Sequence, residues 1–429
     1  MNIIFLVIVL LAFGFAGWQQ FSWVPLEGQT APIEAVSKAM VDSAAGAVEL
    51  AIGLVGVMTL FLGLVKIAEA GGMLTILARL IRPLMVRLFP EVPPDHPAMG
   101  AMILNLSANA LGLGNAATPF GIRAMQELDK LNPQPGTATD AMALFLAINT
   151  SSVTLLPTGV IALRAAAGSL NPAGILPTTL FATMGSTAVA IAAAVLYRRF
   201  FPVKGAPAAA EPDADAPAAC EPADSQAPAA GYPLWVSLAA LGAVAALIPL
   251  AIAFGQALSP WILPALMVFF LVFGVIRRVR VYEVFVEGAK EGFQVAIRII
   301  PYLVAILVAV GMFRASGGLG AMVGWIGGWT AAVGLPAEAL PMAIMRPLSG
   351  SGAYGILASI INDPAIGPDS YTGYLVSTLQ GSTETTFYVM AVYFGAVQVR
   401  RIRHTLAAAL TADLCGVILA IVACTFLFR

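Results

Sequence analysis

The chain has 429 residues, of which 59% are hydrophobic and 10% are charged. Because about a quarter of the residues of a soluble protein are charged, this composition excludes an ordinary soluble domain and predicts an all-α integral membrane protein surrounded by lipid. The formal net charge of −1 offers no basic surface for nucleic acid.

Residues 3–20 begin a series of predicted membrane helices. They lack the basic start and the A-x-A cleavage site of a signal peptide, so a retained helix is predicted, with a cleaved leader as the alternative. A membrane helix needs about 20 apolar residues. The predicted spans are 3–20, 47–68, 140–162, 174–197, 233–254, 261–276, 294–312, 373–396 and 405–428. Four segments that are amphipathic or rich in small residues are predicted to be interfacial, re-entrant or broken helices: 72–90, 98–126, 316–333 and 339–362.

Residues 202–231 differ from the rest of the chain. They read PVKGAPAAAEPDADAPAACEPADSQAPAAG, which is rich in Pro and Ala, acidic and without hydrophobic periodicity. This composition is typical of a disordered linker, here on the cytoplasmic side. It separates a membrane repeat at 1–201 from an adaptor helix at 232–259 and a second membrane repeat at 260–429.

The two repeats share one order of features: an apolar helix, a Gly-Gly pair, an amphipathic stretch, a small-polar segment, a Ser/Thr-rich helix and a final helix. Basic residues near helix ends favour the cytoplasm. With the three strongest basic clusters placed there, Arg314 and the acidic loop 362–369 lie outside, so the repeats are predicted to have inverted topology, as in many transporters. The clusters are Arg198, Arg199 and Lys204; Arg277, Arg278 and Arg280; and Arg400, Arg401 and Arg403.

Polar side chains inside lipid need partners, and three groups of them are candidate substrate- or ion-binding residues. The first group lies in NLSANALGLGNAATP, where Gly112, Gly114 and Pro119 favour a broken helix with free backbone groups. Tight packing of helices through small residues is the alternative. The candidates are Asn105, Ser107, Asn109, Asn115 and Thr118.

The second group lies in MRPLSGSGAYG, at the matching place of the second repeat. Its Gly-rich turn and hydroxyl groups predict a site for an anion or another polar ligand. Alternatively, Arg346 is an interfacial anchor. The candidates are Arg346, Ser349 and Ser351, with Tyr354 nearby.

The third group lies on the paired Ser/Thr-rich helices. Glu384 stands near the middle of the span 373–396, where a carboxylate is costly unless it is paired, protonated or facing water. We predict that it relays a proton or binds a cation, with a structural hydrogen bond or an ion pair with Arg346 as the alternative. Asp140 and Asp413, nearer to helix ends, are predicted to be caps or interfacial residues. The candidates are Asn149, Thr150, Ser151, Ser152 and Thr154 on the first helix, and Gln380, Ser382, Thr383, Glu384, Thr385 and Thr386 on the second.

The sequence predicts no metal site, no cofactor and no enzyme activity. Cys220, Cys415 and Cys424 lack the spacing of metal ligands, and His96 and His404 are far apart in the sequence. There is no P-loop motif, which excludes a nucleotide-driven pump.

Long stretches of the chain resemble a known family. Residues 63–132 (GLVKIAEAGGMLTILARL and onward) are similar to spore maturation protein A. Residues 281–320 (VYEVFVEGAKEGFQVAIRII and onward), with MRPLSGSGAYG and QGSTETTFYV, are similar to spore maturation protein B. The resemblance covers most of 1–200 and 260–429 and implies a fusion of the two. It also implies the nucleoside-recognition or Gate domain of nucleoside permeases and ferrous-iron transporters, and a link to dehydration of the spore core in spore formers.

Two functions follow as hypotheses for a protein of the bacterial cytoplasmic (inner) membrane. The first is a transporter or channel for a small polar solute or ion, with nucleosides among the candidates and a site between the two repeats. The alternative is a non-transporting scaffold or gate that regulates a partner protein. An intramembrane enzyme is disfavoured because no nucleophile–base pair is evident. A homo-oligomer is compatible with either function.

Overall fold

The computed structural model describes residues 2–24, 30–112, 114–202 and 231–428, and the regular structure of these residues is helical. The predicted all-α fold is therefore confirmed. Of the predicted linker, residues 203–230 lie outside the described part. The α-helices of the described residues are α1 (Asn2–Ser22), α2 (Pro32–Ala70), α3 (Met73–Leu88), α4 (Pro97–Ala110), α5 (Gly114–Lys130), α6 (Asp140–Thr150), α7 (Thr158–Ala166), α8 (Leu176–Tyr197), α9 (Leu234–Ile276), α10 (Val281–Ala315), α11 (Gly318–Ala332), α12 (Leu340–Leu348), α13 (Gly350–Ile361), α14 (Tyr371–Ser382), α15 (Thr386–Ala396) and α16 (Thr405–Phe428).

Helices α2–α8 and α10–α16 repeat one plan. The long helices α2 and α10 both end at a Gly-Gly pair, in which Gly72 (φ 82°) and Gly317 (φ 73°) have the left-handed conformation that favours glycine. In each half a short helix follows this turn, then two broken helices and one long final helix. The order of features predicted from the sequence is therefore present in the fold.

Equivalent helices of the two halves run in opposite directions against each other. Gly311 of α10 lies beside Ser43 near the start of α2, whereas Gly288 lies beside Leu62 near its end. A Cβ atom at Gly288 would stand 2.6 Å from the Leu62 carbonyl oxygen, so glycine permits this close approach. Helices α8 and α16 are antiparallel as well. This is the packing expected of inverted repeats.

The segments predicted as discontinuous are broken helices. The segment 98–126 is divided into α4, which ends at Ala110, and α5, which begins at Gly114, and 339–362 is divided into α12 and α13 at Ser349. Ser349 caps α13, because its Oγ accepts a hydrogen bond of 3.1 Å from Gly352 N.

Two predicted continuous spans are wrong. The span 140–162 is interrupted at 151–157, between α6 and α7, and the span 373–396 is interrupted at 383–385, between α14 and α15. The mean hydropathy of a window is little changed by a few Ser and Thr residues, so it does not reveal the break. Their hydroxyls nevertheless compete with the helix for backbone hydrogen bonds. Pro157 adds a second cause in the first interruption, because proline disfavours a helical conformation of the residue before it.

The predicted break near residue 255 is also absent. Spans 233–254 and 261–276 are joined in the continuous helix α9, and the predicted boundary at 259/260 lies inside it. Gln, Ala and Leu of the intervening residues GQALSP are good helix formers.

Three helical stretches are long and apolar enough to span a membrane among the residues that the structure describes: Phe5–Ser22, Pro172–Phe200 and Thr405–Phe428. The helices Met58–Ala70 and Met73–Leu88 meet the same criterion only when taken together, and they are bent by 68°, as in a broken span or a re-entrant loop. Taken singly, the halves of the broken helices are shorter than the 18 residues that this criterion requires.

Arg164, in α7 of the first half, holds a loop of the second half. Its side chain is completely buried, and Nη2 lies 2.9 Å from Asp369 Oδ1. Nη1 donates hydrogen bonds to the Pro368 carbonyl (2.6 Å) and to Ser377 Oγ (3.2 Å), and the guanidinium lies 4.2 Å from the centre of the Tyr374 ring. We call this contact the Arg164 clamp. It fixes the start of α14 to the first half.

Arg403, between α15 and α16 of the second half, makes the reciprocal contact at the start of α6. Its Nη1 lies 2.7 Å from Asp140 Oδ1 and donates a 2.9 Å hydrogen bond to the Ala138 carbonyl. Its Nε donates a 3.0 Å hydrogen bond to the Phe201 carbonyl. We call this contact the Arg403 clamp. Burial and the neighbouring Arg403 lower the pKa of His404 beside it.

The two clamps lie at opposite ends of the bundle. The Arg403 clamp includes Phe201, next to the basic pair Arg198 and Arg199. Near the Arg164 clamp, Arg314 forms a 3.0 Å ion pair with Asp363 in the acidic loop. The grouping of charges thus follows the sequence analysis, and the assignment of these faces to the two sides of the membrane stays a prediction.

Candidate functional site

The two unwound segments, 151–157 and 383–385, meet between the halves. Glu384 N donates a 2.7 Å hydrogen bond to the Thr150 carbonyl, and Leu155 N donates a 2.9 Å hydrogen bond to the Ala110 carbonyl at the end of α4. Helix ends leave backbone groups unpaired, and such groups need protein partners inside a membrane. We call this meeting point the crossing. Through these two bonds, the broken helices α4/α5, α6/α7 and α14/α15 supply backbone partners for one another.

An amide network ties several broken helices together beside the crossing. Asn149 Nδ2 donates a hydrogen bond to Asn105 Oδ1, and Asn105 Nδ2 donates to the Ala117 carbonyl (2.7 Å) and to the Tyr393 hydroxyl (3.1 Å). Asn105 is fully buried. The network therefore connects α4, α5, α6 and α15, and both predicted residues, Asn105 and Asn149, have partners within the protein.

Asn105→Ala is expected to lower the free energy of unfolding by about 1–3 kcal/mol, because Asn149 and Tyr393 lose a buried partner. The measurement is thermal unfolding of the detergent-purified protein. Ser107→Ala is the matched control, since the hydrogen bond that Ser107 Oγ donates among the described residues stays within α4, to the Ile103 carbonyl (2.7 Å). Equal effects of the two substitutions would contradict a network role for Asn105.

Four buried polar atoms near the unwound segments have no hydrogen-bond partner among the described residues: Asn109 Nδ2, Ser152 Oγ, Thr179 Oγ1 and Gln380 Oε1. Thr179 faces Gly381, where a Cβ atom would stand 3.1 Å from its hydroxyl oxygen. Buried polar groups of native proteins are usually hydrogen-bonded. Three of these atoms come from the first half, and Gln380 Oε1 comes from the second.

Arg346, from α12, fixes the second unwound segment. It is 6% exposed, which rules out the alternative of an interfacial anchor. Its Nε donates to the Gln380 carbonyl and its Nη1 to Thr385 Oγ1, both at 3.0 Å. Its Nη2 lies 3.5 Å from Glu384 Oε2.

The surroundings of Glu384 are not those predicted for the middle of a continuous membrane helix. It lies in the unwound segment and not within a continuous helix, and its side chain is 44% exposed. The ion pair with Arg346, considered as the alternative in the sequence analysis, is present. The partly exposed carboxylate leaves an acceptor open at the crossing.

The other predicted site residues serve mainly local roles. The hydroxyls of Thr150 and Ser151 donate to the Ala147 carbonyl, and that of Ser382 donates to the Leu379 carbonyl. Such bonds satisfy the hydroxyl within its own helix and loosen the helix end. The side chain of Asn115 lies outside the described part of the structure. The remaining positions are buried or half-buried: Thr118, Thr154, Ser351 and Thr383.

The sequence analysis did not include Asp413 among its candidate residues. It is neither a cap nor interfacial, because it lies inside α16 and is 4% exposed. Thr386 Oγ1 donates a 2.7 Å hydrogen bond to Asp413 Oδ2, whereas Oδ1 has no partner among the described residues. Its place inside the apolar span 405–428 was the available signal, since the argument used for Glu384 applies to it equally.

These features define a class: a multi-pass α-helical membrane protein whose two oppositely directed halves meet at broken helices. The family model "Gate: Nucleoside recognition" matches residues 51–201 and 296–400, and the chain belongs to this family. Membership of the family supports a membrane transporter.

Two relatives from Bacillus subtilis (strain 168) each match about two fifths of the chain. Spore maturation protein A is 46% identical over 169 residues, which are 39% of this chain and 86% of that protein. Spore maturation protein B is 45% identical over 171 residues, which are 40% of this chain and 95% of that protein. The resemblance predicted from the sequence is confirmed, and the matches are consistent with a fusion.

Two solved structures are more remote. CNTnw in an inward-facing substrate-bound state is 15% identical with a TM-score of 0.46, and the match covers 98% of this chain and 90% of that one. The Alcanivorax borkumensis YdaH transporter is 17% identical with a TM-score of 0.46, and the match covers 99% of this chain and 97% of that one.

Proposed function

We propose that this protein transports a small polar solute and binds it at the crossing, with nucleosides as the first class to test. The observation that carries the proposal is the bond between Glu384 N and the Thr150 carbonyl, which joins broken helices of two oppositely directed halves. Discontinuous helices at the interface of inverted repeats are where secondary transporters bind substrates.

The polar atoms at the crossing indicate the chemistry of the solute. Asn109 Nδ2 is a donor, Gln380 Oε1 is an acceptor, and the hydroxyls of Ser152 and Thr179 act as either. Glu384 offers a further acceptor, and its charge is balanced by Arg346. An uncharged solute with several hydroxyl, amide or ring N–H groups suits this set, and a nucleoside presents these groups. The family description, nucleoside recognition, agrees with this choice.

The alternative is a scaffold or gate that regulates a partner protein without transport. The names of the two Bacillus relatives favour it, because they describe spore maturation and no solute. Co-purification of a stoichiometric partner, together with an unchanged cellular phenotype after Glu384→Gln, would support this alternative.

The test is a thermal-shift and vesicle-uptake screen of the purified protein against nucleosides, nucleobases and small carboxylates. We expect a nucleoside to stabilise the wild type, and Glu384→Gln to weaken its binding about tenfold, equivalent to about 1.4 kcal/mol. Glu287→Gln is the matched control, because Glu287 is an exposed carboxylate of α10. If no compound stabilises or crosses, the transport proposal fails and the scaffold function gains support.

A further inference from the structure

We propose that Asp413 is a proton-binding site that couples proton movement to transport at the crossing; this rests on the proposed function. Asp413 is 4% exposed inside the apolar helix α16. Its Oδ2 accepts one hydrogen bond, from Thr386 Oγ1 at 2.7 Å, and its Oδ1 has no partner in the described part of the chain. A free carboxylate oxygen buried in this way has room for a proton.

A proton suits this site because a buried charge needs a partner. A carboxylate held by a single hydroxyl is costly in apolar surroundings, and protonation removes the charge. The step transfers one proton from water to Oδ1 and converts the carboxylate to the neutral acid. The reverse transfer releases the proton, and no other bond is made or broken.

Few ionisable groups surround Asp413. Among the helices packed against α16, α12 contributes Arg346 as its only charged residue, and α6 contributes Asp140, which is held by the Arg403 clamp at the far end. Arg346 donates its hydrogen bond to Thr385, whereas Asp413 accepts one from the next residue, Thr386, so the two charged groups contact neighbouring residues. The other ionisable groups of these helices, of α15 and of α16 itself are Tyr197, Tyr371, Tyr374, Tyr388, Tyr393, Cys415 and Cys424.

Three consecutive residues connect Asp413 with the crossing. Glu384 pairs with Arg346 and bonds Thr150 through its backbone, Thr385 bonds Arg346, and Thr386 bonds Asp413. Hydrogen bonds to a charged acceptor are stronger than those to a neutral one. Protonation of Asp413 therefore weakens its hydrogen bond with Thr386. This change reaches the adjoining unwound segment 383–385, which in the proposed function contacts the solute.

The close packing of α16 supports this coupling. Gly416, one turn after Asp413, faces the second unwound segment, and a Cβ atom there would stand 2.9 Å from Thr383 Cγ2. On the other side, Ser186 Oγ of α8 donates a 2.9 Å hydrogen bond to the Ala412 carbonyl. The carboxylate is thus placed at a contact between the two halves, where a change of charge reaches both.

Infrared titration tests proton binding without a solute. We expect the carbonyl stretching band of a buried carboxylic acid in the wild type and in Glu384→Gln, and its loss in Asp413→Asn. Thr386→Val, which keeps the carboxylate and removes its donor, should let the acid band persist to higher pH. Absence of the band from the wild type at every pH, or its persistence in Asp413→Asn, would overturn the proposal.

Uptake of a radiolabelled nucleoside into vesicles tests the coupling. An inward proton gradient should stimulate the wild type about tenfold, within the usual range of coupling energies. It should have no effect on Asp413→Asn, which should still exchange solute at equal pH. Uptake by the wild type without any effect of the gradient overturns the coupling and leaves the transport proposal standing. No uptake at all, with the acid band present, overturns both transport and coupling, and Asp413 is then a proton-binding site alone.

Discussion

Arg346→Met is expected to abolish solute uptake and to lower the free energy of unfolding by about 3 kcal/mol or more. Methionine roughly keeps the length of the side chain but removes the donors to the Gln380 carbonyl and Thr385, and it leaves Glu384 without its cation. The second unwound segment then loses its hydrogen bonds to α12. The measurements are chemical unfolding in detergent and nucleoside uptake into vesicles.

Arg346→Lys is the matched control. Lysine keeps the positive charge but cannot reproduce the planar fork that reaches two acceptors and the carboxylate together. We therefore expect Arg346→Lys to recover much of the stability and only part of the uptake. Wild-type stability and uptake in Arg346→Met would show that the segment is positioned by other contacts.

Arg164→Met is expected to have the largest effect on stability of any change outside the crossing. It removes a completely buried guanidinium with its hydrogen bonds to Pro368 and Ser377. Asp369 loses its cation and keeps only the hydrogen bonds from Ser169 Oγ and Leu170 N. Loss of one partner of a buried ion pair costs about 3–5 kcal/mol. The lower end applies, because the side chain of Asp369 is 30% exposed and remains partly hydrated.

A surface ion pair provides the comparison for Arg164. Lys130 lies 3.1 Å from Glu127 one turn earlier on α5, and its side chain is 53% exposed. Pairs of this kind contribute about 0–1 kcal/mol, so Lys130→Met should leave the unfolding curve nearly unchanged. If Arg164→Met proved as mild as Lys130→Met, the clamp would contribute little to the contact between the halves.

The sequence predicted the helices well, because long apolar runs and Gly-Gly pairs are local signals. The segments 98–126 and 339–362 were also recognisable, since Gly, Asn and Ser interrupt them within a few residues. The breaks at 151–157 and 383–385 were not, because a hydropathy window treats Ser and Thr as mildly polar wherever they occur. Their unwinding depends on partners more than 200 residues away, such as the Thr150 carbonyl that receives Glu384 N.

The candidate site was predicted in part. Glu384 and Arg346 were selected from the cost of charge in lipid, and the structure brings them together. Asp413 was assigned to a helix end, although it is the more deeply buried of the two carboxylates. Burial depends on the rotation of α16 about its axis, which composition does not specify. That Asn109 Nδ2 has no partner among the described residues is likewise visible only when every neighbouring acceptor is located.

The two clamps have a consequence for how much of each half a cell must make. Arg164 belongs to the first half and completes the start of α14 in the second, while Arg403 belongs to the second half and completes the start of α6 in the first. Neither half alone contains both partners of these two ion pairs. If the halves were encoded by two genes, any surplus of one product would carry an orphaned carboxylate and an orphaned arginine and would become a target for quality-control proteolysis. A single reading frame removes that problem by fixing the dosage of the halves at one to one.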